Sequence, residues 1–248
     1  MLAIRTENLS KTYRKRHLGR LKKTPALRKL NLEVVSGEIY GLLGPNGSGK
    51  TTTIKLLLGL LFPTEGEIYI LEQARSSFKQ QGKLGYLPEL PYFYKYLTPR
   101  EVLELYANIS ELSPKEKAVR IEYCLELVGM KEYSKQRMGE FSKGMLQRIG
   151  VAQSLLHDPQ IIIYDEPISG LDPIGLREMR ELILRLKSEG KTVLFSSHII
   201  SQTEKICDRA GILVNGELKK VVEIKAEKLL PGQLEDIFVD VVQGRITA

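Results

Sequence analysis

The 248-residue sequence predicts an α/β fold built on a mainly parallel sheet. Three observations predict it. A strand, a glycine-rich loop and a helix follow one another from Ile39 to Leu61. From residue 145 to residue 207, helical and strand patterns alternate at the spacing that parallel pairing through right-handed crossovers requires. Between these stretches, residues 90–138 carry apolar side chains at three- and four-residue intervals, which marks a helical subdomain.

Taken in chain order, Ala3 to Glu7, Leu30 to Val35 and Ile39 to Leu43 are β-branched or alternating and read as short strands, with Ser36-Gly37 as a turn. Gly44 to Gly49 breaks the pattern, and Lys50 to Leu61 reads as a buried helix closed by Pro63. Thr98-Pro99-Arg100-Glu101 and Ser113-Pro114-Lys115-Glu116 are helix starts of the capping-box type. Behind them Val102, Leu105, Tyr106 and Ile109, then Ile121, Leu125 and Val128, recur at helical spacing. There follow a helix over 145–157, a strand over 160–164, a helix over 174–189, a strand over 192–196 and a helix over 200–207. The last thirty or so residues, charged and punctuated by Pro231-Gly232, carry the weakest pattern.

Composition narrows the function classes. The chain carries 37 Lys and Arg against 30 Asp and Glu, a net +7, but the charge is uneven. Between Glu7 and Glu33 stand nine basic residues and no acidic one, more than the whole net charge. A general nucleic-acid-binding surface is therefore not implied, and no nucleic-acid partner is expected. Cys124 and Cys207 show no CxxC spacing, which argues against a zinc site or disulfide scaffold and suits a reducing cytosol. The longest apolar stretches, Ile54 to Phe62 and Ile161 to Tyr164, fall short of the roughly 20 residues a membrane-spanning helix needs. The first residues carry charge too early for a signal peptide, so a soluble protein is expected.

Gly44-Pro45-Asn46-Gly47-Ser48-Gly49-Lys50-Thr51 matches the phosphate-loop pattern GxxxxGK[ST] at every fixed position. Glycines let backbone N–H groups fold around phosphates without Cβ clashes, and the helix N-terminus supplies positive potential. Lys50 is expected to reach the β- and γ-phosphates and the Thr51 hydroxyl to ligate Mg²⁺. Ile161-Ile162-Ile163-Tyr164-Asp165-Glu166 adds an apolar strand ending in two carboxylates. Side chains alternate along a strand, so the two acids should have different roles: Asp165 on the Mg²⁺ side through water, Glu166 as general base toward the attacking water.

With further motifs the chain resembles, over nearly its whole length, the nucleotide-binding subunit of an ATP-binding cassette (ABC) transporter. Phe141-Ser142-Lys143-Gly144-Met145, followed by Leu146-Gln147-Arg148, resembles the family's signature sequence; Ser169-Gly170-Leu171-Asp172 resembles its D-loop and Ser196-Ser197-His198 its H-loop. The resemblance implies a P-loop NTPase core with a mainly parallel sheet, an N-terminal antiparallel β subdomain and an inserted helical subdomain. It assigns residues 1–89 and 146–216 to the core, 90–145 to the helical subdomain with the signature, and 217–248 to a short C-terminal extension. It implies ATP and Mg²⁺ as cofactors. The nucleotide-binding set is then Tyr13, which stacks on adenine, Gly44, Pro45, Asn46, Gly47, Ser48, Gly49, Lys50, Thr51 and Thr52. Ser142 and Gly144 act in trans on the γ-phosphate of an opposite subunit, so that a head-to-tail homodimer forms on ATP binding. His198 joins Glu166 and Lys50 as catalytic by contacting the γ-phosphate.

The chain departs from the commonest family pattern at Lys143, where glycine is usual, and at Met145, where glutamine is usual. In Gly85-Tyr86-Leu87-Pro88-Glu89-Leu90, Glu89 takes the place of a glutamine; its carboxylate can reach Mg²⁺ but adds negative charge near the phosphates. The pairing of this segment with Ser-Lys-Gly-Met is similar to the ABC-2 type exporters. The expected function is thus an ATP-hydrolysing subunit, cytoplasmic and peripheral on the inner face of the membrane, that powers a separate membrane-spanning permease, an exporter. The basic segment 14–23 is expected to meet anionic lipid or the permease. The competing reading is a soluble ABC ATPase acting on ribosomes or DNA; a single cassette without sustained heptads disfavours it.

Overall fold

The computed structural model describes residues 1–17, 20–75 and 82–245, with the side chains of residues 15–21 outside that description. The chain divides into two compact units: residues 1–81 with 192–248, and residues 82–191.

In the first unit, β1 (Leu2–His17) pairs antiparallel with β2 (Arg20–Leu30), β3 (Glu33–Val35) and β5 (Glu65–Ile70), and β5 with the two-residue β6 (Gln73–Ala74). Ile4, Leu9, Leu27, Leu30, Leu32, Val34, Ile68 and Ile70 are buried with this sheet. The short strand expected over 3–7 is in fact one 16-residue strand with a long partner. Residues 11–23 are rich in Lys and Arg and lack apolar alternation, so the backbone ladder that extends the strand leaves no periodic signal. Pro25, opposite Thr12, lies on a strand at the end of the sheet order, where a missing N–H breaks no ladder.

The same unit holds β10 (Arg209–Val214), β4 (Ile39–Leu43) and β9 (Thr192–Ser197), parallel in that order, with β11 (Glu217–Val222) antiparallel on β10. Every residue of β4 and β9 is buried, as strands inside a parallel sheet should be, including Thr192, Ser196 and Ser197 of β9. Over β4 passes α6 (Ile200–Ile206), so close that a Cβ on Gly41 would stand 2.5 Å from Thr203 Cγ2 and 3.0 Å from Cys207 Sγ. After β4 comes α1 (Lys50–Leu57), which ends short of the expected Leu61. Gly59 adopts φ 72° and the Leu60 N–H turns back to the Lys55 carbonyl at 2.9 Å, a Schellman-type close that stops the helix. Residues 217–222, assigned from the sequence to the C-terminal extension, form β11, and α7 (Gln233–Val242) follows with Leu234 and Val241 buried.

In the second unit β7 (Leu84–Leu87) and β8 (Ile161–Asp165) are parallel, and all five residues of β8 are buried. Both expected capping boxes form: α2 (Pro99–Ile109) starts on Thr98 with Glu101, and α3 (Pro114–Leu127) on Ser113 with Glu116. The Glu101 carboxylate accepts from the Thr98 N–H at 2.8 Å and Glu116 from the Ser113 N–H at 2.9 Å; the Thr98 N–H, and for Glu116 the Ser113 hydroxyl ahead of its N–H, hold the two carboxyl groups below their usual range. The face of α2 differs from expectation. Pro99, Val102, Leu103 and Ala107 are buried, while Leu105 and Ile109 are 43% and 67% exposed. Two apolar stripes share this helix, and spacing alone does not say which one the core takes. The remaining helices are α4 (Lys143–Leu155) and α5 (Pro173–Ser188). Against β7, α4 packs so tightly that a Cβ on Gly85 would stand 2.3 Å from the Ser154 carbonyl oxygen. Cys124 and Cys207 are both buried, and burial pushes the Cys124 thiol up to about 12.

Candidate functional site

The glycine-rich loop leaves the carboxyl end of β4, between β10 and β9 in the parallel register, the position where open parallel sheets bind ligands. Gly44 cannot carry a side chain there: its Cβ would meet the Leu213 carbonyl oxygen at 2.3 Å and Ser48 Oγ at 2.4 Å. Gly49 is the N-cap of α1 with φ 112°, a conformation that turns the chain abruptly into the helix. Pro45 is half-buried, and Asn46 and Gly47 are exposed at the crest. Inside the loop, Ser48 Oγ is a buried polar atom without a partner among the described residues. Lys50 is buried, its ammonium donating to the Gly44 carbonyl at 2.7 Å and reaching the Pro45 carbonyl at 3.5 Å, so the cation lies across its own loop. A phosphate group suits this cradle: a glycine loop at a helix N-terminus and a lysine whose ammonium donates to replaceable carbonyls.

Thr51 and Thr52 follow in the first turn of α1, Thr51 exposed and Thr52 half-buried. Tyr13 on β1 comes to the same turn, with its hydroxyl 3.4 Å from Thr52 Oγ1 and the Lys11 ammonium 5.7 Å from its ring centroid. His198 is exposed immediately after β9. Because Leu43 and Ser197 are register partners, the loop and His198 leave neighbouring strand ends of this unit.

The second unit presents its own strand ends. Asp165 closes β8 and Glu166 follows, each buried at 3% and 7% exposure. Glu166 has φ 50°, a left-handed backbone uncommon outside glycine, so the chain turns directly after the strand end at Asp165. β7, paired Leu87 to Tyr164, ends beside β8, and Glu89 is exposed just beyond it. Burial pushes the Tyr86 hydroxyl up to about 12, and the Asp165 carboxylate acts in the same direction. Thr51 in the first unit, and Asp165 and Glu89 in the second, each offer an oxygen donor of the kind Mg²⁺ prefers. No cluster of three His, Cys, Asp or Glu able to hold a metal occurs among the described residues.

Ser142 is the N-cap of α4, its Oγ accepting from the Met145 N–H at 3.3 Å, and it is exposed. Gly144 lies one residue into the helix with 3.9 Å from its would-be Cβ to Ser142 Oγ, leaving the first turn open. Asp172 caps α5 through the Gly175 N–H at 2.7 Å. Ser142, Gly144, Leu171 and Asp172 line one groove of about 900 Å³ along α4 and α5. One residue of this region had no role assigned from the sequence. Gln147 is buried in α4 and its amide donates to the Pro167 carbonyl at 3.1 Å, next to Glu166. Its signal was available: a polar residue among Ile149, Gly150 and Val151 on the buried face of a helix needs a partner.

A glycine-rich loop at a helix N-terminus in one unit, with a buried carboxylate pair and a serine-capped helix in the other, are the features of a nucleotide-binding cassette. The chain belongs to the ABC transporter family, whose model matches residues 27–169. It is 48% identical over 217 residues to an uncharacterised ABC transporter ATP-binding protein of Nostoc sp., covering 87% of this chain and 64% of that longer relative. It is 42% identical to the bacitracin transport ATP-binding protein BcrA of Bacillus licheniformis, covering 94% of this chain and 75% of that protein. Among solved structures, the dimeric post-hydrolysis state of the ATP-binding cassette MJ0796 bound to ADP and Pi matches with TM-score 0.80 and 27% identity over 89% of this chain and 98% of that one. The chain thus spans under two thirds of the Nostoc relative's length.

Proposed function

We propose that the chain binds and hydrolyses ATP with Mg²⁺ and thereby powers a separate membrane-spanning subunit, an exporter. The observation that carries this reading is the buried Lys50 lying across the Gly44–Gly49 cradle, a cation stored where a phosphate would take over its bonds. In this reading Lys50 trades the Gly44 carbonyl for β- and γ-phosphate oxygens, and loop N–H groups orient the rest of the chain of phosphates. Tyr13 stacks on adenine beside Thr52, with Lys11 near its ring. Bound Mg²⁺ would supply charge neutralisation at the phosphates, and the Thr51 hydroxyl, Asp165 through water and the Glu89 carboxylate would hold it. Glu166 takes the proton of the attacking water, and His198 holds that water and the γ-phosphate.

Ser142 and Gly144 bind the γ-phosphate seated on a second copy, which supports a head-to-tail homodimer with two ATP molecules; the MJ0796 cassette is described as dimeric with ADP and Pi. The helical subdomain meets the permease. Its exposed Leu105 and Ile109 on α2, and Tyr92, Tyr94 and Tyr96 before it, offer the apolar surface for that contact. No helix among the described residues is long and apolar enough to cross a membrane, so the spanning part would belong to a partner. In this reading the chain works from the cytoplasm, peripheral to the inner face of the membrane. Export rests on the similarity to ABC-2 type sequences at Glu89 and Ser142 to Met145. The test is co-purification with a roughly six-helix hydrophobic protein encoded beside this chain. Recovery of that protein in a complex whose ATPase follows its cargo supports the reading, whereas recovery with ribosomes or DNA overturns it.

The basic segment 14–23 spans the β1 to β2 hairpin, of which residues 18 and 19 and the side chains of Lys15, Arg16 and Arg20 lie outside the described residues. The register sets Arg14 opposite Lys23. Like charges directly opposite are destabilising, so an anionic partner would relieve them. Near an anionic leaflet each Lys or Arg contributes about 1 kcal/mol, screened by salt. Neutralising Arg14, Lys15, Arg16, Arg20, Lys22 and Lys23 is expected to leave ATP hydrolysis intact while weakening sedimentation with phosphatidylserine vesicles at low salt. Equal sedimentation of both proteins would reject lipid contact.

A further inference from the structure

The segment after β8 bends sharply. Glu166 has φ 50°, Gly170 has φ 71°, and Ser169 N–H returns to the Glu166 carbonyl at 3.1 Å before Asp172 caps α5. A loop with two left-handed residues and no strand partner needs outside restraint to keep one geometry. Two side chains of α4 supply it within this unit. Lys143 donates from its ammonium to the Ser169 carbonyl at 3.2 Å, and Gln147 donates to the Pro167 carbonyl at 3.1 Å. The lysine also occupies the space over Gly170: a Cβ there would stand 2.6 Å from Lys143 Nζ. Gln147 Oε1 is buried without a partner among the described residues, so the amide fastens the loop through its N–H side and the lysine adds a fastening of its own.

From this geometry we propose that Lys143 is a positioning residue for hydrolysis, strapping the Glu166 to Asp172 loop to the first turn of α4. The inference rests on the ATPase reading above and adds to it the reason a lysine stands where glycine is usual. Ser142, the cap, and Lys143, the strap, are adjacent, so the anion site at the head of α4 and the loop that carries Glu166 are set as one body. The lysine acts through the backbone of that loop. Its contribution is to the placement of the base, which is felt in turnover, and little of it is felt in nucleotide binding.

The experiment compares wild type, Lys143→Met, which keeps the stem and loses the donor, and Lys143→Arg, which keeps a donor. Steady-state Mg·ATP hydrolysis should show kcat lowered about fivefold in Lys143→Met with KM within about twofold, and most of kcat recovered in Lys143→Arg. Hydrogen exchange without nucleotide should show faster exchange of amides 167–172 in Lys143→Met and wild-type protection in Lys143→Arg. Unchanged exchange in Lys143→Met would overturn the strap. A raised KM at unchanged kcat would overturn it too, since that marks a lysine binding phosphate directly. A wild-type chain without turnover would count against the ATPase reading alone, because the exchange comparison passes or fails the strap by itself.

Discussion

Lys50→Ala is expected to lose ATP hydrolysis almost entirely and to bind nucleotide weakly. The buried ammonium donates to the loop carbonyls of Gly44 at 2.7 Å and Pro45 at 3.5 Å, which are neutral acceptors, while phosphate would give it charge-assisted bonds to ionised oxygens. Removing one such stabilising group from a phosphoryl-transfer site costs on the order of 10² to 10³ in kcat. The fold should survive, because the methylene stem lies in a glycine loop rather than in the apolar core, and Ile54, Leu56 and Leu57 of α1 remain buried. Phosphate release with Mg·ATP, alongside a thermal melt, measures both. Turnover like wild type in a folded Lys50→Ala protein would remove the phosphate-loop assignment.

Glu166→Gln should separate binding from chemistry. The substitution preserves shape and leaves the left-handed backbone at φ 50° undisturbed, but an amide cannot take a proton from water. Loss of a general base lowers turnover by roughly 10² to 10⁴, and affinity for ATP should stay near that of wild type. Fluorescent ATP-analogue titration and phosphate release on one preparation distinguish this from the Lys50 variant, which loses both. A Glu166→Gln protein that still turns over rapidly would move the base elsewhere, with His198 at the end of β9 as the first candidate.

These two residues also show what a sequence can disclose. The loop around Lys50 was legible because backbone geometry dictates its residue types: Gly44 has no room for a Cβ and Gly49 takes φ 112°. The strand before Asp165 was legible because a fully buried strand must be continuously apolar. Both capping boxes were legible because the same two side chains satisfy the helix start in the sequence pattern and in space. Other features were not. The outer half of β1 and β2 is held by main-chain pairing between cationic residues, which no hydrophobic period reports. α7 begins on Gly232 without a side-chain cap and is rich in β-branched residues, so it resembles a strand locally. The buried face of α2 depended on which of two apolar stripes met the core. At the site, the left-handed turn at Glu166 and the two fastenings from Lys143 and Gln147 arise from contacts between distant segments, and single-residue propensities carry no record of them.

The central claim is that each copy carries two incomplete half-sites, a phosphate loop and a serine-capped helix, which become whole only across a head-to-tail pair. The most direct test is the mass of the Glu166→Gln protein by light scattering, at tens of micromolar, with and without Mg·ATP, beside the double variant Glu166→Gln, Ser142→Arg. The account predicts a monomer without nucleotide, a dimer with Mg·ATP for the single variant, and a monomer throughout for the double variant, whose arginine fills the open first turn of α4. A Glu166→Gln protein that binds ATP yet stays monomeric, or a double variant that dimerises as readily as the single one, would contradict it.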